Sequence, residues 1–490
     1  MLGTDVPCPA FLPNGRLQDR PTRNPSDERG LVECHPGSMS SGQYSPVRRG
    51  QEGARDRRFG SPLLGTRRRR LAATAFVALA FYVYAWAVQP NRPQLAAVFD
   101  DPPKLLTVTE NGFRPGDAGT PLAQYQSHRW GWIGQWYDQF HYARMARAIG
   151  RGHLPGVGWD PVHMVAKDPA AQHEVASFSY GLGYPAVGAV FYVLGFKGDP
   201  FVVPDALLFA LSAMLALVVA ERFLNAAMAL IVVNVLVLTG PFALYFVIPY
   251  GTSLTVVAVL TALVVITGDR FDWPVALALG TATAFAFAAR YTDAIWIVAL
   301  LMIPLLVRRR SAWRVLVATA AELAVAAAVV GWAQWRAFGS AFTTPYKYVH
   351  GGLDASWSAY RFGHVANAGI GVFVTGDRSM LLRVEPILKS FPWAVAAPIG
   401  LVLLFVDRHP LRWTALLATV VALGSTVTYL AWVFGGTDQL EIWIIRYHIA
   451  WFPLWAILAG VAFERALATT GVFVPGPAVA PTDQSVALQE

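Results

Sequence analysis

Residues 130–152 read WGWIGQWYDQFHYARMARAIGRG. Asp138 stands there among aromatic residues, with Arg144, Arg147 and Arg151 following it. A carboxylate within hydrogen-bond reach of a hydroxyl can take its proton as that hydroxyl attacks. Tyr137 and Phe140 would raise the carboxyl pKa by desolvating it, and Arg144 would lower it. The competing reading has Asp138 pairing with Arg144 or capping a helix over 139–150. Fixed cations form the second set: Arg290, Lys347 and Arg446 each stand beside a tyrosine. Arginine can hold an anion in bidentate geometry. A charge at the edge of a membrane span is costly, so it tends to be functional. Snorkelling, or pairing with Asp293 or Glu441, is the plainer account of the same residues.

The elements that must position these groups follow from composition. The chain has 490 residues, 55% of them hydrophobic and 14% charged. A soluble globular protein carries about 25% charged residues. The mean hydropathy is +0.41, and several apolar runs reach the roughly 20 residues of helix that cross a hydrocarbon core. Only helices or closed barrels satisfy their backbone groups in lipid. The expectation is an all-α polytopic membrane protein. The net charge of +8 would suit nucleic acid, but much of the excess lies in the first 70 residues. A basic segment of that kind sets membrane topology instead. Residues 1–66 read as a disordered basic cytoplasmic tail, and 466–490 as a second cytoplasmic tail. Cys8 and Cys34, the two cysteines of the chain, both fall in the first tail and define neither a disulfide nor a zinc site.

Apolar runs occupy 71–89, 181–196, 203–220, 223–240, 251–267, 274–289, 292–307, 312–334, 392–406, 411–433 and 446–463. If all of them span, RRRSAWR (308–314) falls opposite the basic tail, against the positive-inside bias. The run GLGYPAVGAVFYVLGF (181–196) is short and rich in glycine, and it is read as a juxtamembrane or re-entrant helix. About ten transmembrane helices remain, within a domain over 67–465. The tail, Arg222, 268–273, RRRSAWR, 407–412 and Glu464-Arg465 then share the inner side. The loops 90–202 and 335–391 lie outside, and Asp138 faces the extracytoplasmic side. After Asp138, Tyr142, Met145 and Ile149 recur at helical spacing. Arg144, Arg147 and Arg151 fall on another face, so this helix is expected along the interface with its charges out toward lipid headgroups.

These stretches resemble a family. Residues 138–146 (DQFHYARMA) are similar to the Asp-x-x-x-Tyr-x-x-Ile-Ala pattern in the first outer loop of GT-C glycosyltransferases. FSYGLGYPAVGAVFYVLGF (178–196) looks like the Tyr-Pro juxtamembrane segment of that superfamily. Residues 240–270 and 284–310 resemble regions of its branch dependent on dolichyl-phosphate mannose, and IIRYHIAWFPLWAIL (444–458) resembles the Arg-Tyr opening of a late span. The likeness covers roughly residues 71–465. It departs at Gly251-Thr252, which replace a Ser-Glu pair.

The resemblance implies transfer of a sugar, mannose as the first guess, from a polyprenyl-phosphate donor to an acceptor hydroxyl, usually with inversion. The acceptor is a lipid, a glycan or a protein. Nucleotide sugars and ATP are absent outside the membrane, so the donor must be membrane-borne. Asp138 becomes the candidate base. Arg446, Arg290 and Lys347 become candidate ligands of the donor phosphate, whose charge grows as it leaves. His141, Tyr142, Tyr250, Tyr291, Asp293 and Tyr447 complete the candidate substrate-binding set, with structural pairing to Arg290 favoured for Asp293. No tight metal cluster is evident, although some relatives place a divalent cation on the phosphate. Membrane lipids are expected partners and nucleic acid is not. The rival readings are a polytopic transporter or lipid flippase, and a non-catalytic GT-C-like protein. No repeat relates the two halves, as transporters often show, and the charged candidates cluster at one rim.

Overall fold

A computed structural model of the chain describes residues 65–88, 108–109, 112–113, 136–160, 165–168, 176, 178, 180–247, 249–268, 272–306, 313–343, 388, 391–431 and 446–470. All of them lie in one compact unit, Ser61–Glu490. The described part is overwhelmingly helical. In chain order the helices are α1 (Arg67–Val88), α2 (Trp136–Gly150), α3 (Gly183–Val193), α4 (Val202–Ala220), α5 (Ala226–Leu238), α6 (Gly240–Val247), α7 (Thr252–Thr267), α8 (Trp273–Ala289), α9 (Asp293–Leu306), α10 (Trp313–Phe338), α11 (Ala397–Val406), α12 (Arg412–Ala431) and α13 (Phe452–Thr469). Two antiparallel two-residue ladders, Val108–Thr109 with Gly112–Phe113 and Trp159–Asp160 with Val165–Ala166, complete the described elements. The tail over 1–64, most of the two long loops, and 471–490 lie outside the described residues.

Each apolar run of the sequence became a helix, with ends set by local chemistry. Asn225 caps α5, its side chain accepting from Met228 N at 2.9 Å. Asp272 does the same for α8 with Val275 N at 3.2 Å, and Pro274 fills the first turn, where a missing N–H costs nothing. Pro241 follows Gly240 where α5 and α6 meet at a bend of 66°. Proline lacks the N–H and disfavours helix at the residue before it, so the span breaks there.

By length and composition, four helices among the described residues can cross a membrane: Arg67–Ala87, Val202–Ala220, Trp313–Phe338 and Arg446–Thr469. The bent pair α5–α6 makes a fifth. Several others are shorter than the expected ten spans require; α7, at 16 residues, extends only about 24 Å at 1.5 Å per residue. Polar residues and turns end them at both rims. The outward faces are apolar: Phe76, Val325, Val329, Trp332 and Trp335 are all more than half exposed. Exposed apolar surface on this scale marks a face made for something other than water. Together with the long apolar helices it makes this a helical membrane protein.

α7 is the centre. Every residue of it except Thr261 and Val264 is buried, as a helix apolar all round must be. It packs against α4, α8, α9 and the turn that opens α13. At its far end Arg222 donates to Thr267 Oγ1 at 2.6 Å and to the Val264 carbonyl. Nearby, Glu221 binds Arg67 and Arg70, each at 2.8 Å, and Glu464 takes Asn225 Nδ2 at 2.8 Å. Arg465 reaches Asp407 at 3.3 Å. Among the described residues, Arg67, Arg70, Arg222, Asp407, Glu464 and Arg465, which sequence assigned to a single side, thus form polar contacts of this kind. A further polar group lies at the Thr252 end of α7.

α8 and α10 run parallel in a fixed register. Trp273 meets Trp313 at 6.3 Å, Thr281 Oγ1 donates to Glu322 Oε2 at 2.7 Å, and Gln334 Nε2 donates to the Tyr291 hydroxyl at 3.0 Å. α9 therefore runs antiparallel to both. In lipid, helices associate by close packing rather than by expulsion of water, and small residues permit it. Gly181 and Gly183 lie so near the end of α8 that a Cβ on either would sit 2.3–2.5 Å from a carbonyl oxygen. Gly400 on α11 is tighter still, with the Leu458 carbonyl of α13 only 1.7 Å from the position of an added Cβ. Gly400→Val should therefore yield no monodisperse protein after detergent extraction. Gly331→Ala, whose new methyl would sit 3.5 Å from Ala341, should keep the wild-type melting temperature. Size-exclusion chromatography and thermal melts of the two variants check this.

Candidate functional site

Four chain segments meet at the Thr252 end of α7. The turn between α8 and α9 supplies Arg290 and Asp293; its backbone is held by Arg290 N to the Ala286 carbonyl at 2.7 Å and Asp293 N to the Arg290 carbonyl at 3.0 Å. α7 supplies Thr252 and Thr255, and Tyr250 precedes it. The last turns of α12 supply Tyr429. The helical turn before α13 supplies Arg446, Tyr447 and His448.

Asp293 is the hub. It is buried, and Thr255 Oγ1 donates to its Oδ2 at 2.5 Å. The Tyr429 hydroxyl donates to Oδ1, and Arg290 Nε lies 3.5 Å from Oδ2. Thr292 Oγ1 lies 2.8 Å from the Tyr429 hydroxyl. Asp293 thus orients Arg290, the structural pairing favoured from sequence. The Arg290 guanidinium lies over Tyr447 at 4.4 Å and over Tyr429 at 5.4 Å. Arg446 approaches Tyr447 as well, at 4.8 Å, and the Tyr250 ring at 5.6 Å. It donates to the Tyr250 hydroxyl at 3.1 Å and to the Tyr447 hydroxyl at 2.7 Å. Tyr429 stacks on Tyr447 at 4.6 Å. Two guanidiniums therefore converge on one phenol ring, each held by aromatic faces that stabilise cations.

Tyr142 ties α2 to this end. Its ring lies 5.1 Å from Tyr180, 5.2 Å from Tyr184 and 6.3 Å from Tyr250. Its hydroxyl is 3.5 Å from where a Cβ on Gly251 would sit. Tyr184 donates to both oxygens of the fully buried Asp205, at 2.8 and 2.9 Å. Asp138 sits in the first turn of α2, on the helix face shared with His141, Tyr142 and Met145. Its side chain, like the whole of Lys347, lies outside the described residues, as do Glu441, Tyr346, Tyr348 and His350.

One sequence expectation is corrected. α2 was expected along the interface with its arginines out toward headgroups. Instead Arg144 lies over the Trp159 ring at 5.4 Å, and Arg151 Nε donates to the Tyr192 hydroxyl at 3.2 Å. Ala143, Ala146 and Ala148 are buried and let α3 approach closely, with Ala146 Cβ only 3.0 Å from a Cβ placed on Gly188, which brings Tyr192 within reach of Arg151. Burial first, and Arg147 second, push Arg144 down to about 10. The Tyr291 hydroxyl, in the substrate set by sequence, accepts from Gln334 Nε2 of α10 at 3.0 Å. Thr255, Tyr429 and Asp205 were missed. A carboxylate inside the apolar run FVVPDALL was the available signal for Asp205; Tyr429 and Thr255 carried none beyond their place at the ends of runs.

The fold and site define a helical membrane protein with a paired-arginine, tyrosine-walled site at one end of its helices. Among the described residues no group of three His, Cys, Asp or Glu side chains converges as a metal site. No family model matches the chain, and no curated protein matches it in sequence.

Removing Asp293 strands the Arg290 charge, and breaking a buried pair in this way costs roughly 3–5 kcal/mol. Asp293→Ala should lower the unfolding free energy by about that much, and adding Arg290→Met should restore part of it. Denaturant unfolding in detergent micelles reads both. His141 supplies a pH test. Burial first, then Arg144, pushes its imidazole down from 6.5 to about 3. The unfolded chain therefore binds a proton that the folded chain refuses, so this stability is complete above pH 6.5 and drains away as pH falls toward 3. At pH 5 the loss is about 2 kcal/mol. Melting curves at pH 7.5 and 5 should show a smaller drop for His141→Gln than for wild type.

Proposed function

We propose that the protein is an integral-membrane glycosyltransferase of the GT-C kind. It moves a sugar, mannose as the first candidate, from polyprenyl phosphate to an acceptor hydroxyl with inversion. The convergence of Arg290 and Arg446 on Tyr447 at one end of the span helices carries this reading. Two fixed guanidiniums at membrane depth suit a lipid-borne phosphate, since Arg binds phosphate oxygens in bidentate fashion. The resemblance in sequence adds the sugar and the acceptor.

In this reading the chain crosses the bilayer ten times, with α3 as a juxtamembrane helix. Arg67, Arg70, Arg222 and Arg465 face the cytoplasm, as the positive-inside rule favours. The arginine–tyrosine site then opens on the extracytoplasmic side. A lipid, glycan or protein presents its hydroxyl over the Asp138 face of α2. The hydroxyl oxygen attacks the anomeric carbon from the side opposite the phosphate, and its proton passes to the Asp138 carboxylate. The bond from the anomeric carbon to the phosphate oxygen breaks, and its electron pair leaves with the polyprenyl phosphate. Arg290 and Arg446 stabilise the added negative charge, and the aromatic packing keeps them placed before it forms.

Asp138→Asn should lower transfer from a labelled polyprenyl-phosphate sugar by roughly 10²–10⁴-fold, with donor binding kept. Arg446→Met should weaken donor binding itself. Membranes containing each variant, assayed for labelled product and bound lipid, check both. Unchanged transfer in Asp138→Asn removes it as the base, and movement of the lipid without covalent product favours transport.

A further inference from the structure

One buried polar side chain at this end is unanswered. His448 is only 2% exposed, and neither of its ring nitrogens has a hydrogen-bond partner among the described residues. Its ring centroid lies 6.4 Å from that of Tyr429, edge to face. Tyr429 in turn stacks on Tyr447, the ring between the two arginines. His448 therefore borders the site rather than the general core. The buried hydroxyls that also lack partners, those of Thr74, Ser212, Thr319 and Thr419, are scattered along other helices. An imidazole with neither nitrogen paired among the described residues is conspicuous, because nearly all buried polar groups are paired. Sequences depart from that rule at functional sites, where a ligand supplies what the fold does not.

The ring limits what that ligand group can be. A neutral imidazole presents one N–H donor and one bare acceptor nitrogen. Phosphate oxygens and carbonyls only accept, and an ammonium only donates, so each answers one nitrogen at most. Hydroxyl groups do both, and a polyol can meet either nitrogen. The neighbouring arginines already suit the anion. We propose that His448 is a specificity-determining residue that binds hydroxyls of the donor's sugar, next to the phosphate held by Arg290 and Arg446. This rests on the function proposed above and deepens it.

The test uses the purified full chain in detergent and three probes: bare polyprenyl phosphate, and its mannosyl and glucosyl esters. Wild type should bind one glycosylated lipid at least tenfold more tightly than the bare lipid. His448→Phe, which keeps the ring volume and removes the polar atoms, should bind bare polyprenyl phosphate within twofold of wild type and lose the preference. His448→Gln, with one amide donor and one acceptor, should recover part of it. Without lipid, His448→Phe should melt at or above the wild-type temperature, since it removes two unpaired atoms. A melt well below wild type marks a structural ring and overturns the inference. So does an unchanged preference, an equal weakening for all three lipids, or a wild type that prefers neither glycosylated lipid to the bare one. A wild type that binds none of the probes overturns the proposed function and this inference with it. Normal wild-type binding with an unaffected His448→Phe overturns this inference alone.

Discussion

The pairing of Arg290 with Asp293 at a turn between two apolar helices governs what surrounds it. At that depth an ion is stripped of water, and the penalty is several kcal/mol per charge unless neighbours replace the lost solvent. The replacements are on hand: Thr255 and Tyr429 for the carboxylate, the faces of Tyr447 and Tyr429 for the guanidinium. Each of those groups comes from a different helix. Satisfying one ion pair therefore requires α7, α9, α12 and the start of α13 to meet at a single point. The fold of this end and the electrostatics of its site are one problem with one solution.

The same logic explains the tyrosines. A phenol offers an apolar ring to its neighbours and a polar tip to a charge, which suits a place where protein gives way to headgroups. Tyr250 and Tyr447 use both parts, packing by ring and meeting Arg446 by hydroxyl, and Tyr142 adds its ring to Tyr250. They let α2, which carries Asp138, rest on the end of α7 without leaving Arg446 against bare hydrocarbon.

Much of this architecture was legible because hydrophobic runs follow from backbone physics. The runs themselves were placed from sequence, while the caps at Asn225 and Asp272 and the break at Gly240-Pro241, which obey equally local rules, were not read there. Arg290, Arg446 and Tyr250 were identified because charge or phenol at the edge of an apolar run is conspicuous. Other features depended on which helices become neighbours. The position of Arg144 depended on Trp159, and the hydrogen bond from Gln334 to Tyr291 on the parallel run of α8 and α10. Tyr429 and Thr255 look like ordinary span residues until three other helices surround Asp293. Periodicity carries a residue's own face, and it carries nothing about the chemistry that another helix brings to it.

The contact between Thr281 and Glu322 has a mechanical consequence. A carboxylate partway along a peripheral helix finds its partner at only one axial offset, because Gly280 leaves the space beside it. Sliding α10 along α8 by one turn, about 5.4 Å, would press that carboxylate against side chains and deprive it of its donor. The pair acts as a detent against axial slippage of α10. Whatever joins α10 to the rest of the site is therefore delivered at a constant height along α8.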